Sequence, residues 1–143
     1  MAVTTKTLQQ AIARARNFGS VQEHHADAFI EQTTAQRLGL LCEACGLKPG
    51  EVIRRAQIER TYGYQIFNGT RQPSRDKLIQ LAFGFRLPLE QTQELLKHSG
   101  KSILYSRIRR DAACIFGISH QLNVQEMQEL LASEQLPLLG EGS

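Results

Sequence analysis

At 143 residues, with 41% apolar and 22% charged side chains, the chain is long enough for one domain of average size and too short for two full cores, and its balance is that of a folded protein rather than a disordered one. No apolar run approaches the roughly 18 residues that a membrane-spanning helix needs. The net charge of +3 is mild, and an odd count of three cysteines with a polar start, Met1-Ala2-Val3-Thr4-Thr5-Lys6, predicts a cytoplasmic protein with reduced thiols.

Hydrophobic periodicity is helical from end to end, and no stretch alternates with the two-residue period of a strand, so the expected fold class is all-α. Near the start Leu8, Ala11, Ile12 and Ala15 share one face, with Thr7 and Gln10 spaced as a capping box. Ser20 and Glu23 repeat that spacing before a stripe of Ala26, Phe29 and Ile30. Residues 1–33 therefore read as an N-terminal helical arm.

Five short helices are predicted over 34–100. Thr33 or Thr34 caps the first, whose Leu38, Leu41 and Cys45 form the stripe and which stops at Gly46. Pro49 opens the second, with Val52, Ile53 and Ala56 inward. The third runs from about Glu59 to Asn68 and closes at Gly69. Ser74 caps the fourth, in which Leu78, Leu81, Ala82 and Phe85 fall at i, i+3, i+4 and i+7. The fifth starts after Pro88 and ends near Ser99, before Gly100. Between Lys48 and Arg75 six basic residues, Lys48, Arg54, Arg55, Arg60, Arg71 and Arg75, face only Glu51 and Glu59, the sign of charge a nucleic-acid backbone attracts.

The apolar positions Val52, Ile58 and Ile66, the closing Asn68-Gly69 and the loop Arg71-Gln72-Pro73-Ser74 ahead of a Leu- and Ala-rich helix give residues 34–100 a resemblance to the five-helix domain of lambda-repressor-like, Xre-type (Cro/cI-type) helix-turn-helix proteins. The chain departs from that pattern in places. Pro49 stands where the family often has a phosphate-binding glutamine, Lys48 is a poor capping residue, Gln57 replaces the usual turn glycine, and Ile53 and Gly63 replace a small and an apolar residue respectively. Positions 53 and 63 meet where the two helices cross, so Gly63 is expected to make room for Ile53 and a side chain at 63 to overpack the crossing.

The resemblance implies a DNA-binding transcriptional regulator with the third helix in the major groove. Matched to the family's base-reading positions are Arg60, Thr61, Tyr64 and Gln65, with Glu59 and Tyr62 beside them. Arginine suits guanine O6 and N7, glutamine suits adenine N6 and N7, and the threonine methyl suits thymine. Candidates for phosphate are Lys48, Arg71, Ser74, Arg75 and Lys77, Ser74 adding the free amides of a helix N-terminus. Arg54 and Arg55 are weaker candidates.

Residues 101–143 read as a C-terminal helical extension with one stripe of Ile108, Ala112, Ile115 and Phe116 and a second of Val124, Met127, Leu130 and Leu131, separated by Gly117 to Asn123. Such a pair cannot bury two apolar faces alone, and a homodimer through it is expected, with packing on the same chain as the alternative. Lys101, Arg107, Arg109 and Arg110 make the junction basic. The Cys42-Glu43-Ala44-Cys45 pair lacks further ligands at finger spacing among Cys114, His24, His25, His98 and His120, so it reads as core packing, with no metal and no cofactor. No catalytic constellation stands out. The competing function is a helical module that binds a protein partner, as an antitoxin or adaptor does, while keeping the helix-turn-helix shape.

Overall fold

The computed structural model describes residues 4–19 and 32–140, and the expected Ser20–Glu23 box, its stripe, His24 and His25 lie outside them. The described residues contain eight helices and no strand. None of these helices is long and apolar enough to cross a membrane. Residues 1–32 and 33–143 are separate compact units. In the first, α1 (Thr5–Arg14) is capped by Thr4 rather than Thr7: the Thr4 hydroxyl accepts the Thr7 N–H at 3.1 Å, which places Thr7 inside the first turn.

The second unit contains α2 (Thr34–Cys45), α3 (Pro49–Arg55), α4 (Arg60–Asn68), α5 (Arg75–Phe85), α6 (Leu89–His98), α7 (Arg109–Ser119) and α8 (Val124–Ser133). Local chemistry sets the ends. Thr33 and Gln36 form a reciprocal capping box on α2, and Gly46 ends it at φ 68°. The Ser74 hydroxyl accepts the Lys77 N–H at 3.2 Å. Gly69 closes α4 at φ 84°. Between α3 and α4, Gln57 adopts φ 57°, a left-handed conformation that glycine holds without strain.

Helix α5 is the centre of this unit. Every residue from Leu78 to Phe85 is buried, so the stripe read from sequence is only part of a helix covered all round. It packs on α2, α3, α6 and α8. Its approach to α3 is close: a Cβ at Gly84 would lie 2.8 Å from the Val52 carbonyl oxygen. The buried Gln80 amide donates to the Ala56 carbonyl at 3.0 Å, tying α5 to the turn after α3.

The C-terminal pair packs on the same chain. Val124, Met127 and Leu131 are buried as expected, but on α7 the buried residues are Asp111, Cys114, Gly117 and Ile118, while Ile108 and Phe116 of the expected stripe are about half exposed. Two features shift that face. Gly117, expected in the break between the two stripes, lies within the helix, where a Cβ would collide with Met127 Sδ. Asp111, polar and so left out of an apolar count, takes a buried position because it is paired.

The pairing is crossed. Arg75 Nη1 and Nη2 donate to the two Asp111 oxygens at 3.0 and 2.9 Å, and Arg110 donates to both Asp76 oxygens at 2.9 and 2.8 Å. The same guanidiniums hold two extended segments: Arg75 reaches the Ser102 and Ile103 carbonyls, and Arg110 those of Pro137 and Leu138. Gln93 and Gln128 complete the hold, each exchanging two hydrogen bonds with the backbone of one leucine, Leu104 and Leu139. Burial alone would raise the pKa of Asp111, but hydrogen bonds from Arg75 and the Tyr105 N–H and the charges of Arg75 and Arg110 carry it below the ordinary value of 3.8. The same opposition, with Arg110 and the Gly140 N–H as partners, lowers Asp76.

At the α3–α4 crossing the expectation for Gly63 holds. A Cβ on Gly63 would lie 2.6 to 2.9 Å from three carbons of Ile53. Gly63→Ala should therefore lower stability by about 1–3 kcal/mol in urea melts, despite the gain in helix propensity. Ile53→Ala in the same chain should cost less than the two single changes added, because it empties the space the new methyl needs.

Arg75→Ala leaves Asp111, 3% exposed, with only the Tyr105 N–H, and should cost about 3–5 kcal/mol by urea denaturation. Because both aspartates have folded pKa values below their unfolded ones, their contribution is complete well above pH 3.8 and is lost as the pH falls through the folded values. Urea midpoints of the wild type should drop steeply on acidification below about pH 5, and those of an Arg75→Met, Asp111→Leu variant less so.

Candidate nucleic-acid interface

Helix α4 begins at a carboxylate. The Glu59 side chain accepts the Tyr62 N–H at 2.8 Å and the Thr61 N–H at 3.0 Å, and these backbone bonds hold its pKa below the usual range. Glu59 therefore caps the helix rather than lying on its reading face. Arg60, Thr61, Tyr64 and Gln65 follow at i, i+1, i+4 and i+5, which a 3.6-residue repeat gathers on one side. Arg60, Thr61 and Tyr64 are exposed and Gln65 is half-buried, while Gly63 and Ile66 turn inward.

Two large-small contacts fix that face relative to α3. Ile53 fills the space over Gly63, and the Tyr64 hydroxyl lies so near Gly50 that a Cβ there would be 2.7 Å from it. Tyr64 thus leans onto the first turn of α3, with the Arg60 guanidinium 5.8 Å from its ring centroid. The two tyrosines differ in role: Tyr64 is 41% exposed, whereas Tyr62 is half-buried against the core.

Beside α4 the cations collect on Tyr62. The Arg71 guanidinium lies 4.6 Å and the Lys77 ammonium 5.5 Å from its ring centroid, distances at which the ring's negative face attracts a cation. Arg71 Nε also donates to Gln65 Oε1 at 3.0 Å. Sequence reasoning named Arg71, Lys77 and Gln65 separately and missed the platform that joins them. Its signal was an aromatic residue six positions after Ala56 on a face with two later basic residues, too diffuse to read without the loop geometry.

The remaining candidates divide. Lys48 is exposed at the start of α3, where its backbone N–H, not its side chain, takes part in capping by donating to Glu51 at 3.2 Å. Ser74 spends its oxygen on the Lys77 N–H. Arg75, expected on phosphate, is corrected: Nε, Nη1 and Nη2 are all engaged with Asp111 and two carbonyls, and the side chain is three-quarters buried. In the basic junction, Arg110 is held by Asp76 and Arg109 by Glu134. Arg54 and Arg55 border a cavity with Arg86 and the start of α8, at the opposite end of α5 from Ser74. An 11-residue helix places those two ends about 16 Å apart.

Two of the three cysteines belong to the packing, whereas Cys45, expected on the core stripe of α2, is exposed and Cys42 takes the buried position instead. Cys42 and Cys114 are buried free thiols, and burial pushes Cys114 up to about 11, so it stays protonated. Among the described residues no group of His, Cys, Asp or Glu is arranged to hold a metal ion.

Residues 35–95, from the first turn of α2 into α6, match a family model described as a helix-turn-helix domain. No curated protein and no solved structure matches the chain. The pair α3 and α4, with its exposed polar face and flanking cations, lies at the centre of that helix-turn-helix match.

Proposed function

We propose that the chain is a sequence-specific transcriptional regulator of the lambda-repressor-like, Xre type, with α4 in the major groove of double-stranded DNA. The observation that carries this reading is the outer side of α4. Arg60, Thr61, Tyr64 and Gln65 stand there together, fixed against α3 by the Gly50–Tyr64 and Ile53–Gly63 contacts and flanked by Arg71 and Lys77. A helix held to a rigid partner presents base-reading groups at one register, which loose side chains on a loop do not. Phosphate contacts fall to Lys48, Arg71 and Lys77, the Ser74 oxygen being taken by the Lys77 N–H, and cytoplasmic action on DNA agrees with this role.

Regulators of this class bind paired half-sites about one DNA turn, roughly 34 Å, apart, and the outer face of α7 offers a place for two copies to meet. Ile108 and Phe116 are about half exposed there, with the Phe116 ring 4.0 Å from that of His120. The same apolar face favours the second reading, a module that docks a protein partner.

Duplex affinity, measured by fluorescence anisotropy on sequences selected from genomic DNA, should fall steeply with salt. Lys48→Ala should weaken all sequences alike and flatten the salt dependence by about one unit of log–log slope, whereas Arg60→Ala should cost about 1–3 kcal/mol on the selected site and relax one position of it. Absence of duplex binding at low salt would shift the assignment to the partner module. In sedimentation equilibrium the wild type should be dimeric and Phe116→Glu monomeric, and a monomeric wild type would remove the homodimer.

A further inference from the structure

Gln65, Arg71 and Tyr62 are joined in a way that changes what Gln65 can read. An unconstrained glutamine recognises adenine by accepting from N6 with its oxygen while donating to N7 with its amino group. Here Oε1 already accepts from Arg71 Nε at 3.0 Å. Arg71 is itself held, its guanidinium 4.6 Å from the Tyr62 ring centroid, and Tyr62 is half-buried against the core. The Arg71 N–H therefore competes with adenine N6 for the same oxygen and fixes which end of the amide points away from it. Oε1 keeps a second lone pair, but the Gln65 amino group and the terminal nitrogens of Arg71 beside it are all donors, so the balance offered to an approaching base is tilted toward donation.

From this geometry we infer that Tyr62, Arg71 and Gln65 act as one donor-rich unit that selects guanine over adenine at the base beneath Gln65. The inference rests on the reading that α4 lies in the major groove. Guanine presents two acceptors there, O6 and N7, and thymine one, O4, whereas adenine and cytosine each turn an amino donor toward the unit. Tyr62 is a positioning residue, since it touches no base and acts by holding Arg71. Lys77, 5.5 Å from the same ring, adds a second cation that raises the local positive potential without touching Gln65 Oε1.

In-vitro selection from a random duplex library by the full chain, run in parallel on variants, tests the unit. Gln65→Ala identifies its base as the position whose preference disappears. At that position the wild type should favour guanine over adenine by about tenfold or more, the range a well-placed contact supplies. Arg71→Ala frees Oε1 and should shift the preference toward adenine. Tyr62→Phe keeps the ring and should keep guanine, while Tyr62→Leu, first checked for an unchanged melt, should move in the direction of Arg71→Ala. Adenine selected by the wild type would overturn the inference. So would an Arg71→Ala variant that loses affinity equally for all sequences with its guanine preference intact, the behaviour of a residue that only contacts phosphate. Enrichment of no sequence by the wild type would overturn the DNA reading together with it, which separates that failure from the other two.

Discussion

Two guanidinium–carboxylate pairs cross between neighbouring residues, Arg75 to Asp111 and Arg110 to Asp76, and the position of everything beyond α6 follows from them. Each aspartate lies in the first turn of its helix, Asp76 in α5 and Asp111 in α7, so each negative charge also meets the positive end of a helix dipole. Bidentate geometry fixes the angle of each pair as well as its distance. The surplus donors then bind the carbonyls of residues 102, 103, 137 and 138, so two segments without helical hydrogen bonds of their own are ordered by side chains. A buried carboxylate is stable only when its acceptors are satisfied, and the Asp111 oxygens accept from two Arg75 nitrogens and the Tyr105 N–H.

That clamp joins the C-terminal pair to the N-terminal turn of α5, and α5 in turn carries α3. Gly84 lets the α5 backbone approach that of Val52, and Gln80 bonds Ala56 in the turn before α4. Placement therefore passes from α7 through α5 to the crossing of α3 and α4. At that crossing the two helices exchange size: Gly50 and Ile53 on α3 meet Tyr64 and Gly63 on α4. Interdigitation of this kind specifies one rotation of α4 about its axis, because turning it by one residue would set Tyr64 against Ile53. The departures of this chain from the Xre pattern at 53 and 63 are thus one compensated change.

Sequence made the helix ends legible where a single residue decides them. Thr33, Gly46, Gly69, Ser74 and Pro88 lie at the ends of their helices as expected, because capping and left-handed closure are local chemistry. The Gly63–Ile53 contact was legible too, since the resemblance supplies the crossing and volume supplies the rest. Arg75 was not. A basic residue one position after a helix cap reads as an anion ligand, and only the fold brings Asp111, 36 positions later, beneath it. The α7 face failed for the same reason: Asp111 looks polar by its letter and is buried by its partner, while Ile108 and Phe116 look buried and are exposed. Tyr62 escaped because a ring becomes a platform only when a loop folds Arg71 back over it.

These placements also decide where affinity for a polyanion must come from. A helix N-terminus normally offers unpaired amides to phosphate, but on α4 the Glu59 carboxylate takes the amides of Thr61 and Tyr62, and on α5 the Ser74 oxygen takes that of Lys77 with Asp76 in the same turn. Glu59, its pKa lowered by those backbone bonds, stays ionised at neutral pH and keeps a negative charge at the leading end of α4. With both helix starts occupied and Arg75 withdrawn into the clamp, attraction for a polyanion would rest on the side-chain charges of Arg71 and Lys77 around Tyr62 and on Lys48. Side-chain cations attract any phosphate alike, so on the proposed function discrimination between sequences would fall to the outer face of α4, the face that the glycine contacts with α3 hold in place.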